Sequence, residues 1–132
     1  MILVDSSVWI EYYRAKGDAR YKRWVAEAIR QDQAAVNAVV AAEILTFTRD
    51  RGQYETVAAD FSAFHWTAVD RTVGLRASDL GFRLRRNGVT VPATDLLIFA
   101  SALEAGAELM HHDGHFASIA KLAPLSLRSQ IM

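Results

Sequence analysis

Four carboxylates stand at positions from which they could act together: Asp5, Glu43, Asp95 and Asp113. Asp5 follows the apolar run Met1-Ile2-Leu3-Val4 and precedes two hydroxyls, Ser6 and Ser7. An acid at the carboxyl end of a buried strand lies where open α/β sheets bind ligands. Glu43 sits among Val40, Ile44 and Phe47, Asp95 opens a strongly apolar run, and Asp113 ends Glu108-Leu109-Met110-His111-His112. Each has an ordinary reading as well. Asp5 and Asp113 could be turn or cap residues, Asp95 could complement a helix N-terminus, and Glu43 could border a solvated face. Strand ends and helix starts, however, share one rim of a parallel sheet, and four carboxylates there would repel. One pair about 5 Å apart costs roughly 3 kcal/mol at an effective dielectric of about 20. Such a cluster persists when cations neutralise it or protons are taken up. Oxygen donors select Mg²⁺ or Mn²⁺, and such ions activate water and stabilise phosphoryl charge. The implied chemistry is metal-assisted phosphodiester hydrolysis.

The elements that must position these acids follow from periodicity. Residues 2–4 read as a strand apolar on both faces, with Ser6 or Ser7 as cap of a helix through Tyr13. Tyr21, Trp24, Val25, Ala28 and Ile29 mark a helix over 18–31, and residues 34–37 a short strand. A helix over 39–48 puts Val40, Ile44 and Phe47 on its apolar face, and another runs over 54–64. Residues 66–69 read as a strand. Val73, Ala77, Leu80 and Leu84 mark a long helix ending near Asn87-Gly88. The run 93–105, apolar nearly all round, is a buried helix that Gly106 stops. A strand over 108–112, a short helix over 116–122 and a last strand over 125–127 complete an α/β fold with a mainly parallel sheet.

The chain has 132 residues, 52% of them hydrophobic, which suits one domain with one core spanning 1–132. With 2 prolines and 7 glycines, disorder is disfavoured. The formal net charge is zero, which leaves a nucleic-acid partner open, since local clustering decides that. Cysteine is absent, so disulfides and thiolate metal sites are excluded. The first residues lack the basic segment and apolar length of a signal peptide, and no stretch approaches the roughly 18 apolar residues of a membrane span. A cytoplasmic protein is expected. His111-His112-Asp113 and His115 mimic a metal cluster, but neighbouring strand residues point to opposite faces, so His111 and His112 cannot both face one ion.

Four segments together carry a resemblance: VDSSVWI at 4–10, AAEIL at 41–45, VPATDLLIFASAL at 91–103 and ELMHHDGHF at 108–116. In this order and spacing the chain resembles the PIN domain, and more closely the toxin of the VapBC toxin–antitoxin class. The resemblance implies a three-layer α/β/α fold with a central mainly parallel sheet. It implies an endoribonuclease that depends on Mg²⁺ or Mn²⁺. In that pattern Asp5, Glu43, Asp95 and Asp113 are the acids that hold metal and catalyse, and water activated by the ion attacks phosphorus. Ser6 falls on the hydroxyl beside the first acid, Thr94 precedes the third, and both would support the site from behind. One position departs: the family often has an acid where His115 stands, which bears on whether one or two metals bind. His115 could instead contact a phosphate or ligate a transition metal.

The resemblance also implies partners: an RNA substrate, a VapB-type antitoxin protein and a second copy in a homodimer. Arg83, Arg85 and Arg86, with Arg71 and Arg76, form a basic group fit for RNA phosphates, and Arg14, Lys16, Arg20, Lys22 and Arg23 form another. Either group could equally be a solvated helix face. Trp9, Tyr12 and Tyr13 could stack on bases, fill the core or line a partner's groove. The alternative function is a catalytically weak PIN-like module that holds RNA or a protein. An Asp-nucleophile phosphatase is disfavoured, because it wants an acid where Ser7 stands.

Overall fold

A computed structural model describes residues 1–130; residues 131–132 of the expected 1–132 domain lie outside it. The order is β1 (Ile2–Val4), α1 (Ser6–Tyr13), α2 (Ala19–Arg30), β2 (Ala34–Val36), α3 (Ala38–Thr46), α4 (Arg51–Ser62), β3 (His65–Trp66), α5 (Arg71–Arg86), α6 (Ala93–Ala105), β4 (Glu108–His111), α7 (His115–Ala120) and β5 (Leu127–Ser129). The strands form one sheet in the order β3-β2-β1-β4-β5, and every pairing is parallel. Leu3, Val4, Ala34–Val36, Leu109 and Met110 are buried, as strands covered on both faces require. Helices α1–α4 pack on one another, and α5 and α7 pack on α6, giving the α/β/α layering. Among the described residues, no helix is long and apolar enough to cross a membrane.

The chain leaves β1 for β2 on one side and later returns to β4 on the other. Strand order therefore reverses between β1 and β4, and a crevice opens beyond their carboxyl ends. The acids Asp5 and Asp113 follow those two strands. Helix α6 brings Asp95 to the crevice. It starts after Pro92, ends at Gly106 with φ 65°, and buries Leu96, Ile98, Phe99, Ala100 and Ala102. Local capping fixes the other helices: Asp18, Asn37, Asp50 and Asp70 each accept a backbone N–H of the first turn.

Several boundaries differ from the periodicity. Asp5, rather than Ser6 or Ser7, caps α1 through the Ser7 N–H. Helix α3 stops at Thr46, because the Phe47 N–H reaches back only to Ile44 O and the helix tightens; Phe47 is then 85% exposed instead of packed. Strand β3 has only His65 and Trp66: the Thr67 N–H still meets Val36 O, but the Thr67 hydroxyl turns to Ser101 Oγ at 2.6 Å. Strand β5 begins later than residue 125, since its ladder opens with the Leu109 N–H on Ser126 O.

Two glycines give opposite expectations. A Cβ at Gly17 would lie 1.7 Å from the Glu11 carbonyl oxygen, where the α1–α2 link folds back, whereas one at Gly74 within α5 meets nothing within 4 Å. Gly74→Ala should raise unfolding stability by about 0.5–1 kcal/mol. Gly17→Ala should lower it and displace the link. Chemical denaturation of the two variants beside the parent chain checks both signs.

Candidate active site

Asp5 is 3% exposed. Its Oδ2 accepts the Ser7 N–H at 3.0 Å and the Ser7 hydroxyl. Ser7 Oγ in turn accepts the His112 N–H at 2.9 Å, and the Asp5 N–H meets Met110 O at 2.9 Å. One serine thus ties the end of β1 to the end of β4. Burial pushes the Asp5 carboxyl up to about 6; the two Ser7 hydrogen bonds oppose this, and the charges of Asp95 and Glu43 add to it.

Glu43, half-buried on α3, accepts the Ser6 hydroxyl on Oε1 at 2.6 Å. Asp95 lies in the first turn of α6, which has no side-chain cap. Its Oδ2 is 2.8 Å from His115 Nδ1. Burial raises the Asp95 carboxyl above its ordinary range; His115 opposes this, and Asp113 and Glu43 reinforce it. Asp113 Oδ1 accepts the His115 N–H at 2.9 Å and lies 3.0 Å from His115 Nδ1. Asp95, Asp113 and His115 each offer a ligand atom, all within 4.8 Å of one another.

The four acids share a pattern. Each has one oxygen engaged by a neutral hydroxyl, an amide or His115, while Asp5 Oδ1, Glu43 Oε2, Asp95 Oδ1 and Asp113 Oδ2 have no protein partner among the described residues. Arginine ion pairs lie elsewhere, on Glu11, Glu27, Asp50, Glu104, Asp79 and Glu108. The Ser7 and Ser6 hydroxyls orient Asp5 and Glu43 without neutralising them, while His115 stands between Asp95 and Asp113. The donor set is oxygen plus one imidazole with no thiolate, which fits a divalent cation.

The remaining expected residues divide. Ser6 joins the site through Glu43. Thr94 is exposed, and its hydroxyl makes no hydrogen bond among the described residues. His115, expected behind the acids, stands between Asp95 and Asp113. His111 is buried against Phe116, and burial lowers its pKa; His112 is exposed and turns its Nδ1 to Tyr21 OH at 3.0 Å. Arg83, Arg85 and Arg86 are exposed on the last turn of α5, and residues 87–92 join that turn to the start of α6 beside Asp95. Arg83 pairs with Asp79, and Arg86 lies over the Phe82 ring. Reasoning from sequence gave Ser7 only a capping role, because its bridge depends on β1 and β4 being neighbours. It also missed Tyr21, whose buried hydroxyl donates to His111 O at 2.7 Å and accepts the Gln130 N–H at 2.8 Å.

Comparison with known proteins matches residues 2–122 to the PIN domain family. Ribonuclease VapC11 of Mycobacterium tuberculosis is 33% identical over 134 residues, covering 98% of both chains. Among solved structures, VapBC2 from Rickettsia felis, bound to a DNA fragment from its promoter, has a TM-score of 0.75 at 19% identity and covers 98% of each chain. VapC20 of Mycobacterium tuberculosis, a sarcin–ricin loop cleaving toxin, has a TM-score of 0.67 at 23% identity, covering 89% of this chain and 94% of its own.

A buried acid held among other acids should weaken the metal-free fold. The Asp5 carboxyl titrates near 6 in the folded chain against 3.8 for the free group. The folded state therefore prefers the protonated acid, and stability falls as pH rises from about 4 to about 6. Asp5→Asn removes that loss. In EDTA at pH 8 the variant should be the more stable by on the order of 2 kcal/mol, and the difference should shrink toward pH 4. Urea unfolding across pH measures it, and equal stability at pH 8 would refute the electrostatic account.

Proposed function

The chain belongs to the PIN-domain family, in the branch of the VapC ribonucleases, and from that premise we propose that it is the toxin of a toxin–antitoxin pair that hydrolyses RNA phosphodiester bonds with Asp5, Glu43, Asp95 and Asp113. The observation that carries the assignment of these residues is the set of four carboxylates at one crevice, each with an unengaged oxygen and none paired with Lys or Arg among the described residues. The four acids would hold Mg²⁺ or Mn²⁺. Bound there, the ion supplies Lewis acidity toward water and a phosphoryl oxygen.

The chain's own groups do the rest. Ser7 and Ser6 hold the Asp5 and Glu43 carboxylates in single orientations, so their unengaged oxygens stay aimed without reorganisation. A carboxylate oxygen left free in this way accepts the proton of the attacking water. Arg85 and Arg86, exposed on the last turn of α5, hold RNA phosphates.

The antitoxin has a seat next to the acids. A cleft of about 310 Å³ runs between α1, α3 and α4, lined by Trp9, Ile10, Tyr13, Ile44 and Phe47, and Glu43 lies on its wall. Ile10 and Phe47 expose apolar surface there, and Trp9 Nε1 is buried without a partner among the described residues. An apolar segment of the antitoxin filling this cleft would reach the rim of the acids.

Cleavage of total RNA by the purified chain tests the reading. Discrete fragments should form with Mn²⁺ or Mg²⁺, vanish in EDTA, and vanish in Asp95→Asn while its circular dichroism matches the parent chain. Cleavage by Asp95→Asn at the parent rate would refute the site. Arg85→Ala and Arg86→Ala should each weaken RNA binding at every sequence and reduce the slope of log affinity against log salt by about 1. Unchanged slopes would place the RNA on another face.

A further inference from the structure

The position at which this chain departs from its family pattern lies inside the acid cluster. His115 opens α7, and its backbone N–H is held by Asp113 Oδ1 at 2.9 Å, so the turn through Gly114 faces the two side chains toward one another. The imidazole Nδ1 lies 2.8 Å from Asp95 Oδ2 and 3.0 Å from Asp113 Oδ1. Its ligand atoms and those of both acids fall within 4.8 Å. His115 is not consumed by the core, as His111 is against Phe116, nor turned away, as His112 is toward Tyr21.

We propose that His115 is a nitrogen ligand of the ion held by Asp95 and Asp113, and that it makes this centre select Mn²⁺ and later divalent transition ions over Mg²⁺. The inference rests on the assignment of the acids under Proposed function and adds the identity of the ion. Mg²⁺ dehydrates reluctantly and favours an all-oxygen shell. Imidazole is a softer donor that suits transition ions. Replacing one carboxylate of an all-acid centre by imidazole also removes a negative charge that a hard ion would have used. The two changes act in the same direction. Without an ion, the Nδ1–H donor satisfies the facing carboxylate oxygens, which keeps the ring in place beside them.

The test is pulsed electron paramagnetic resonance of Mn²⁺ bound to the full chain, with Mg²⁺ competition as a second readout. The parent chain should show ¹⁴N modulation from a directly bound imidazole, and His115→Ala should lose it while retaining Mn²⁺. His115→Asp should also lose it, and the ratio of Mn²⁺ to Mg²⁺ affinity should fall by about 10-fold or more. If Mn²⁺ binds, Asp95→Asn abolishes binding, and the parent chain shows no ¹⁴N modulation, His115 is not a ligand, while the acidic site stands. If modulation persists in His115→Ala, another histidine supplies it and the proposal is overturned. If Mn²⁺ fails to bind, or Asp95→Asn binds it as the parent does, the assignment of the acids fails and this inference falls with it.

Discussion

The structure depends on holding a carboxyl group at the buried end of β1. Asp5 cannot be solvated there, and its neighbours in charge are Asp95 and Glu43. An arginine would neutralise it with a permanent ion pair, which would leave nothing for the proposed cation to neutralise. The chain uses serine hydroxyls and amide N–H groups instead. These are strong donors to a charged acceptor, so they fix rotamers. They carry no net charge, so the repulsion among the acids persists. Orientation without neutralisation is what a cation-binding site requires, and the instability it imposes is offset by the core around it.

That core explains why the arrangement stays rigid. Strand β1 is central, paired on both sides, and Leu3 and Val4 are fully buried. Helix α6, buried along most of its length, carries Asp95 as a fixed side chain rather than as part of a loop. Ser7 then extends the pairing of β1 and β4 past their ends, from Asp5 to the backbone of His112. Tyr21 joins the next pair of strand ends, holding His111 O after β4 and the Gln130 N–H after β5 with one hydroxyl. The crevice lies where strand order reverses across the sheet, and the Ser7 bridge ties the two strand ends that flank it.

The sequence was most legible where local chemistry decides the structure. Helix α6 was bounded correctly because Pro92 and Gly106 punctuate a long, almost wholly apolar run, and Asp18 and Asn87 marked helix ends for similar reasons. Strands β3 and β5 were misplaced because pairing with a distant neighbour sets their ends, and two or three residues hold too little pattern. Phe47 was read as core from its spacing, but the helix ended two residues early and turned it out to the cleft. The four acids could be singled out by position, yet the division of their oxygens into engaged and unengaged could not. It follows from which hydroxyl lies across which seam, and Ser6 and Ser7, adjacent in sequence, serve different carboxylates.

A net charge of zero conceals a strong separation of charge. The acids of the crevice are unpaired with arginine, whereas Arg76 and Arg83 on α5 are engaged by Glu104 and Asp79. Engaged arginines contribute little new attraction to a phosphate, since binding must first break or share the existing pair. Arg85 and Arg86 have no such acidic partner among the described residues, and residues 87–92 lead from their turn of α5 to α6, whose first turn holds Asp95. Under the proposed function, RNA approaching the acids therefore meets repulsion from them and attraction from Arg85 and Arg86. A cation among the acids removes the repulsion. Substrate and ion should thus favour each other's binding, because each supplies the charge that the other's site lacks.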